Sequence, residues 1–143
     1  MGLHAYIEET GTEAWYGSYS AFNRWRDTVA KSAGYAFTET KDSFGLTRDT
    51  VLIDWGHITE ANLYGDWETL PSDPLLVLIA HSDCEGEIQP EHTGPLADRL
   101  ESVLPDLPSE LDRGHIGDWG ATTRKFIGAL REASKTGQKV EFA

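Results

Sequence analysis

Leu3, Ala5 and Ile7 alternate with His4, Tyr6 and Glu8, a period of two that predicts a strand. Gly11 lies between Thr10 and Thr12, and residues 13–16 follow, so two short strands joined there predict a hairpin. Phe22, Trp25, Val29 and Ala33 then recur at helical spacing. Ser18 or Ser20 supplies the N-cap of that helix and Gly34 its stop. Residues 35–50 are polar and carry Gly45, which predicts a loop or irregular hairpin. Val51-Leu52-Ile53 reads as a short buried strand, and residues 54–72 scatter three aromatics among turn residues without a clear period.

Ser72-Asp73-Pro74 marks a helix start. The six apolar residues 75–80 are too few for period to separate helix from buried strand, and the cap favours a short helix. Thr93-Gly94-Pro95 opens the next helix, with Leu96, Leu100, Val103 and Leu104 on one face and Pro105 and Pro108 as the stop. Asp118 caps a last helix bearing Trp119, Thr123, Phe126, Ile127, Leu130 and Ser134, with Gly137 at its C′ position. Val140 and Phe142 alternate with Lys139 and Glu141 and predict a closing strand. No repeat or linker interrupts the chain. The pattern predicts a single α+β domain over residues 1–143, with three to four helices packed on a small, mostly antiparallel sheet. Trp25, Leu100, Trp119 and Phe126 are expected in its core.

Composition narrows the class. A chain of 143 residues is the size of one domain. Its longest apolar run is six residues, far short of a membrane span, and its first residues lack the basic and apolar stretches of a signal peptide. The one cysteine, Cys84, excludes an internal disulfide framework and a multi-Cys zinc site. A cytoplasmic protein is expected. The 24 acids and 12 bases leave a net charge of −12, which repels nucleic acid and anionic lipid alike. Residues 83–118 hold ten acids against Arg99 and Arg113, whereas residues 24–48 and 124–143 are net basic. The acidic block reads as a docking surface for a basic partner, as a cation site, or as a solubility device.

Two segments carry candidate chemistry. In residues 18–26, Tyr19, Asn23 and Arg24 stand near a helix start, where unpaired N–H groups and a guanidinium suit an anion. The alternative is that Arg24 and Arg26 pair with acids of the block across the fold. Residues 81–92 align with a calcium loop at Asp83, Glu85, Gly86 and Ile88, but both end positions are imidazoles, His81 and His92. Nitrogen ligands suit a transition metal better than calcium. His81, Asp83 and His92, with Cys84, His57 or His115, supply candidate zinc ligands at no standard spacing. His81, Asp83 and Cys84 also complete a nucleophile–base–orienter set, although Asp83, Glu85 and Glu87 would raise the thiol pKa. The structural alternative is a corner in which Gly86 takes a positive φ, Ile88 turns inward and Asp83 caps the N–H of Glu85 or Gly86. No phosphate loop, nucleophile elbow or zinc-protease helix motif is present, and no cofactor is expected.

The strings S-Y-x-x-F-N-x-W-R (residues 18–26) and H-S-D-C-x-G-E-I (residues 81–88), with the final K-V-E-F, resemble an uncharacterised group of small acidic bacterial and phage proteins. The resemblance spans most of the chain apart from residues 35–70. It lends no catalytic residues and implies that the two segments form one site or one structural corner. The function these readings favour is a small acidic interaction module, immunity- or inhibitor-like, that docks a basic partner through residues such as Tyr19, Asn23, Arg24, Asp83, Glu85 and Glu87. The alternatives are a metal-dependent or Cys/His hydrolase centred on residues 81–92 and an anionic-ligand binder at residues 18–26.

Overall fold

The computed structural model describes residues 2–41, 43–108 and 118–143. The alternation at the N-terminus produces strand β1 (Gly2–Tyr6), which turns at Gly11 (φ +73°) into strand β2 (Glu13–Ser18). Helix α1 (Tyr19–Ser32) follows directly, and the Ser18 hydroxyl accepts the Ala21 N–H as its cap. Residues 37–51 form the hairpin left open by the pattern, strand β3 (Phe37–Lys41) against strand β4 (Thr47–Val51). A 3-10 turn (Trp55–His57) leads to helix α2 (Glu60–Leu63), held by a reciprocal capping box between Thr59 and Asn62. Helix α3 (Leu76–Ile79) is a single turn; Asp73 accepts the Leu75 N–H at its entry, as the Ser-Asp-Pro start implies. Strand β5 (Gly86–Ile88), helix α4 (Pro90–Val103), helix α5 (Trp119–Thr136) and strand β6 (Val140–Phe142) complete the described chain.

The fold is α+β, and its strand pairs are antiparallel. One sheet has the order β2-β1-β6-β5, so the last strand enters between the first and β5; β3 and β4 form a separate ribbon against α1. Leu3, Ala5, Ile7, Ile88, Val140 and Phe142 join the apolar stripes of α1, α4 and α5 in one buried cluster. At its centre Trp25 lies between Trp15 and Phe126, at ring separations of 5.5 and 5.0 Å. Its indole N–H donates to the Thr123 hydroxyl, which itself donates to the Trp119 carbonyl, whereas the buried indole N–H groups of Trp15 and Trp67 have no partner among the described residues.

Four local expectations are corrected. Val51-Leu52-Ile53 is not a buried strand: Val51 ends β4, Leu52 is exposed and Ile53 half-buried, because the ribbon lies outside the main sheet. Helix α4 begins at Pro90 rather than Thr93. Pro at the first helical position loses no hydrogen bond, and Pro95 is accommodated inside the helix with a lost bond at Glu91. The corner at residues 81–92 contains a strand, β5, which exists because β6 offers it a ladder. Ser134 of α5 is exposed, outside the helix's buried face.

Candidate functional site

The two segments singled out by sequence meet. On α1, Tyr19, Asn23 and Arg26 are spaced four and three apart and share one stripe, which faces the end of α3 and the loop after it. A one-turn helix leaves its last carbonyls without partners. The Arg26 guanidinium donates to the carbonyls of Leu78 (2.9 Å), Ile79 (3.4 Å) and His81, the first of which also accepts the His81 N–H. It also donates to Asn23 Oδ1. The Asn23 amide donates onward to Asp83 Oδ2 at 2.7 Å, and Asp83 Oδ1 accepts the Cys84 thiol at 3.0 Å. Arg26 is 8% exposed, and it donates to backbone carbonyls and to Asn23, which links it to Asp83, whereas the sequence reading pairs it directly with an acid of the block. The signal was present: Phe22, Trp25, Arg26 and Val29 form one i, i+3, i+4, i+7 stripe.

The electrostatics follow from this packing. Burial pushes the Arg26 pKa from 12.5 down to about 10, partly countered by Asp83 and Asp27. Burial alone would raise Asp83; hydrogen bonds from Cys84 and Asn23, and the Arg26 charge, hold it below the usual carboxylate range instead. The Asp83 hydrogen bond, more than burial, pushes the exposed Cys84 thiol above its ordinary value. Asp83 therefore ties the loop to α1 and does not cap Glu85 or Gly86; the local cap comes from Ser82, whose hydroxyl accepts the Cys84 N–H. Gly86 does take a positive φ, +113°, and Ile88 is fully buried.

His81 is sealed. Its Nδ1 lies 2.7 Å from the Ser82 carbonyl, its Nε2 2.9 Å from the Glu87 carbonyl, and its ring packs on Phe142. Burial drives its pKa down, against the pull of the two carbonyls. His92 is buried on α4 with Nδ1 unpartnered among the described residues, and burial lowers its pKa too. His57 is exposed beside Asp54, and His115 lies outside the described residues. His81, Asp83 and His92 thus do not converge; among the described residues no group of three His, Cys, Asp or Glu could hold a metal. The set His81, Asp83 and Cys84 does not work as a nucleophile with a base either. The thiol donates to a carboxylate, and both ring nitrogens of the histidine are turned to backbone.

The remaining binding candidates separate. Arg24 is exposed on another stripe of α1 and lines a groove of about 710 Å³ with Asp27, Lys31, Arg48 and Asp49, away from Asn23 and Asp83. Arg48 pairs with Asp27 and Lys31 with Asp49, so most of the groove's cations are neutralised. Glu87 lines a second cleft of about 410 Å³ at the β5 edge with Tyr64, Asp66, Gln89 and Glu141, and pairs with Lys139. Glu85 is exposed without a side-chain partner among the described residues.

The acidic block 83–118 is largely spent internally. Asp98 and Glu101 pair with Arg131, Glu87 with Lys139, Asp83 bonds Asn23, and Asp118 caps α5 through the Ala121 N–H. Glu110, Asp112 and Arg113 lie outside the described residues. Among the described residues no helix is long and apolar enough to cross a membrane. No family model, no curated protein and no solved structure matches this chain.

Proposed function

We propose that this protein is a small acidic interaction module, of the immunity or inhibitor kind, that acts by docking a basic protein partner. One observation carries the reading: residues 49–98 hold eleven Asp and Glu and not one Lys or Arg. Among the described residues the cations sit on α1, β3, β4, α4, α5 and the approach to β6; they neutralise Asp49, Asp73, Glu87 and Asp98 of this run and leave Glu60, Asp66 and Glu68 without an ion pair. The net charge of −12 and the unpaired carboxylates of this run favour a positive partner and repel phosphate backbones. The hydrolase reading lacks support at its own residues, since His81 is sealed and Cys84 holds its proton. The anion-binding reading loses its cation, because Arg24 points away from Tyr19 and Asn23.

The test is affinity capture on the immobilised full chain at low salt, followed by titration against the captured partner at rising ionic strength. The partner should be rich in Lys and Arg, and affinity should fall steeply as screening shortens to about 8 Å. An acidic partner, or binding indifferent to salt, would refute the proposal.

A further inference from the structure

We infer that the contact face of this module is the irregular run of residues 52–70, and that the surface it fits is basic with apolar anchors. The inference rests on the docking reading above and relocates its face away from the block at residues 83–118. Four large apolar side chains are exposed within this run: Leu52 (53%), Trp55 (54%), Tyr64 (41%) and Leu70 (36%). The chain's other four tryptophans are all buried, so leaving Trp55 in water is not a shortage of core. Interfaces concentrate their binding energy in such side chains, Trp and Tyr above all.

Carboxylates accompany these anchors. Glu60, Asp66 and Glu68 are exposed and make no ion pair among the described residues, unlike Asp98 and Glu101 of the former block. Exposed apolar side chains and unpaired carboxylates carried by one run of chain suit a Lys- and Arg-bearing partner with apolar residues of its own.

The run is also held in place. The Leu63 and Tyr64 carbonyls accept the N–H groups of Ser82 and Glu87, and the Trp67 N–H donates to Gln89 Oε1. Gly65 packs so closely on β5 that a Cβ there would lie 1.6 Å from the Glu87 carbonyl oxygen. Tyr64 and Asp66 therefore stand on a braced edge, beside the cleft they line, and less conformational entropy is lost when a partner binds them.

Two synthetic peptides of equal length and equal positive charge serve as probes. One spaces its Lys and Arg with Ser, the other with Leu and Phe. Binding to the full chain is followed by anisotropy of a peptide label and by tryptophan emission, in which Trp55 is the one indole open to water. The Leu/Phe peptide should bind at least about tenfold more tightly and shift the emission to the blue. Trp55→Ser and Tyr64→Ser should each remove most of that margin, while Asp98→Asn with Glu101→Gln should keep it. Glu60→Lys with Glu68→Lys, at exposed positions outside the core, should weaken both peptides. Equal affinity for the two peptides, or a margin that survives Trp55→Ser and Tyr64→Ser, would overturn the assignment of the face and leave salt-dependent docking standing. If neither peptide binds at low salt, both the face and the docking reading fall.

Discussion

Replacing Arg26 with Met keeps the length and apolar stem of the side chain and removes the guanidinium, so it sets two effects against each other. Burial disfavours the cation: the fall of its pKa from 12.5 to about 10 corresponds to about 3 kcal/mol, which Met would recover. On the other side, the carbonyls of Ile79 and His81 and Asn23 Oδ1 lose their donor, while the Leu78 carbonyl keeps the His81 N–H. A buried acceptor left unpaired costs about 1–3 kcal/mol, so three cost roughly 3–9. Asp83 also loses the nearby cation that helps keep it ionised. The hydrogen-bond loss wins, by about 3 kcal/mol at mid-range, a large part of an ordinary domain's 5–15 kcal/mol or so. Arg26→Lys should be nearly as damaging, because a compact ammonium cannot span acceptors that a planar fork reaches together. Urea unfolding followed by tryptophan emission gives the difference as a shift in midpoint at unchanged m-value. An Arg26→Met protein as stable as the wild type, or more so, would show that relief of charge burial outweighs the three acceptors.

Three further outcomes are expected. Gly65→Ala should destabilise by about 3 kcal/mol or more, combining a φ of +91° with a Cβ driven into the Glu87 carbonyl; a thermal transition that does not move would refute this. Burial holds His81 below its ordinary pKa of 6.5, so the unfolded chain takes up its proton more readily than the folded one. Its stabilising contribution is complete above 6.5 and is lost as pH falls through the folded value; urea midpoints should drop between about pH 7 and 5, and an equal drop in His81→Gln would sink the assignment. Cys84 is open to reagent but shares its proton with Asp83, so it should react with an aromatic disulfide more slowly than free cysteine at mildly alkaline pH, and Asp83→Asn should speed it. A thiol faster than free cysteine would restore the nucleophile reading.

The sequence by itself determined the elements whose signals are local. The period of two in residues 3–7, the helical stripe from Phe22 to Val29, the caps at Ser18 and Asp118, and Gly137 in the left-handed conformation at φ +70° are short-range effects of backbone and side-chain geometry. The tertiary structure decided whatever needs a distant partner. Three residues at 86–88 become a strand because β6 lies beside them, more than fifty positions on. Arg26 stands on an apolar stripe, and its charge argued for an acid across the fold, whereas its acceptors are the carbonyls ending α3, 52 to 55 positions away. Composition counts acids without saying which of them are already neutralised. Asp98 and Glu101 are quenched by Arg131 from another helix, while Glu60, Asp66 and Glu68 remain exposed in the same run of chain as Trp55, Tyr64 and Leu70. Charge pairing and burial depend on distance in space, and a one-dimensional pattern carries that distance only across a few residues.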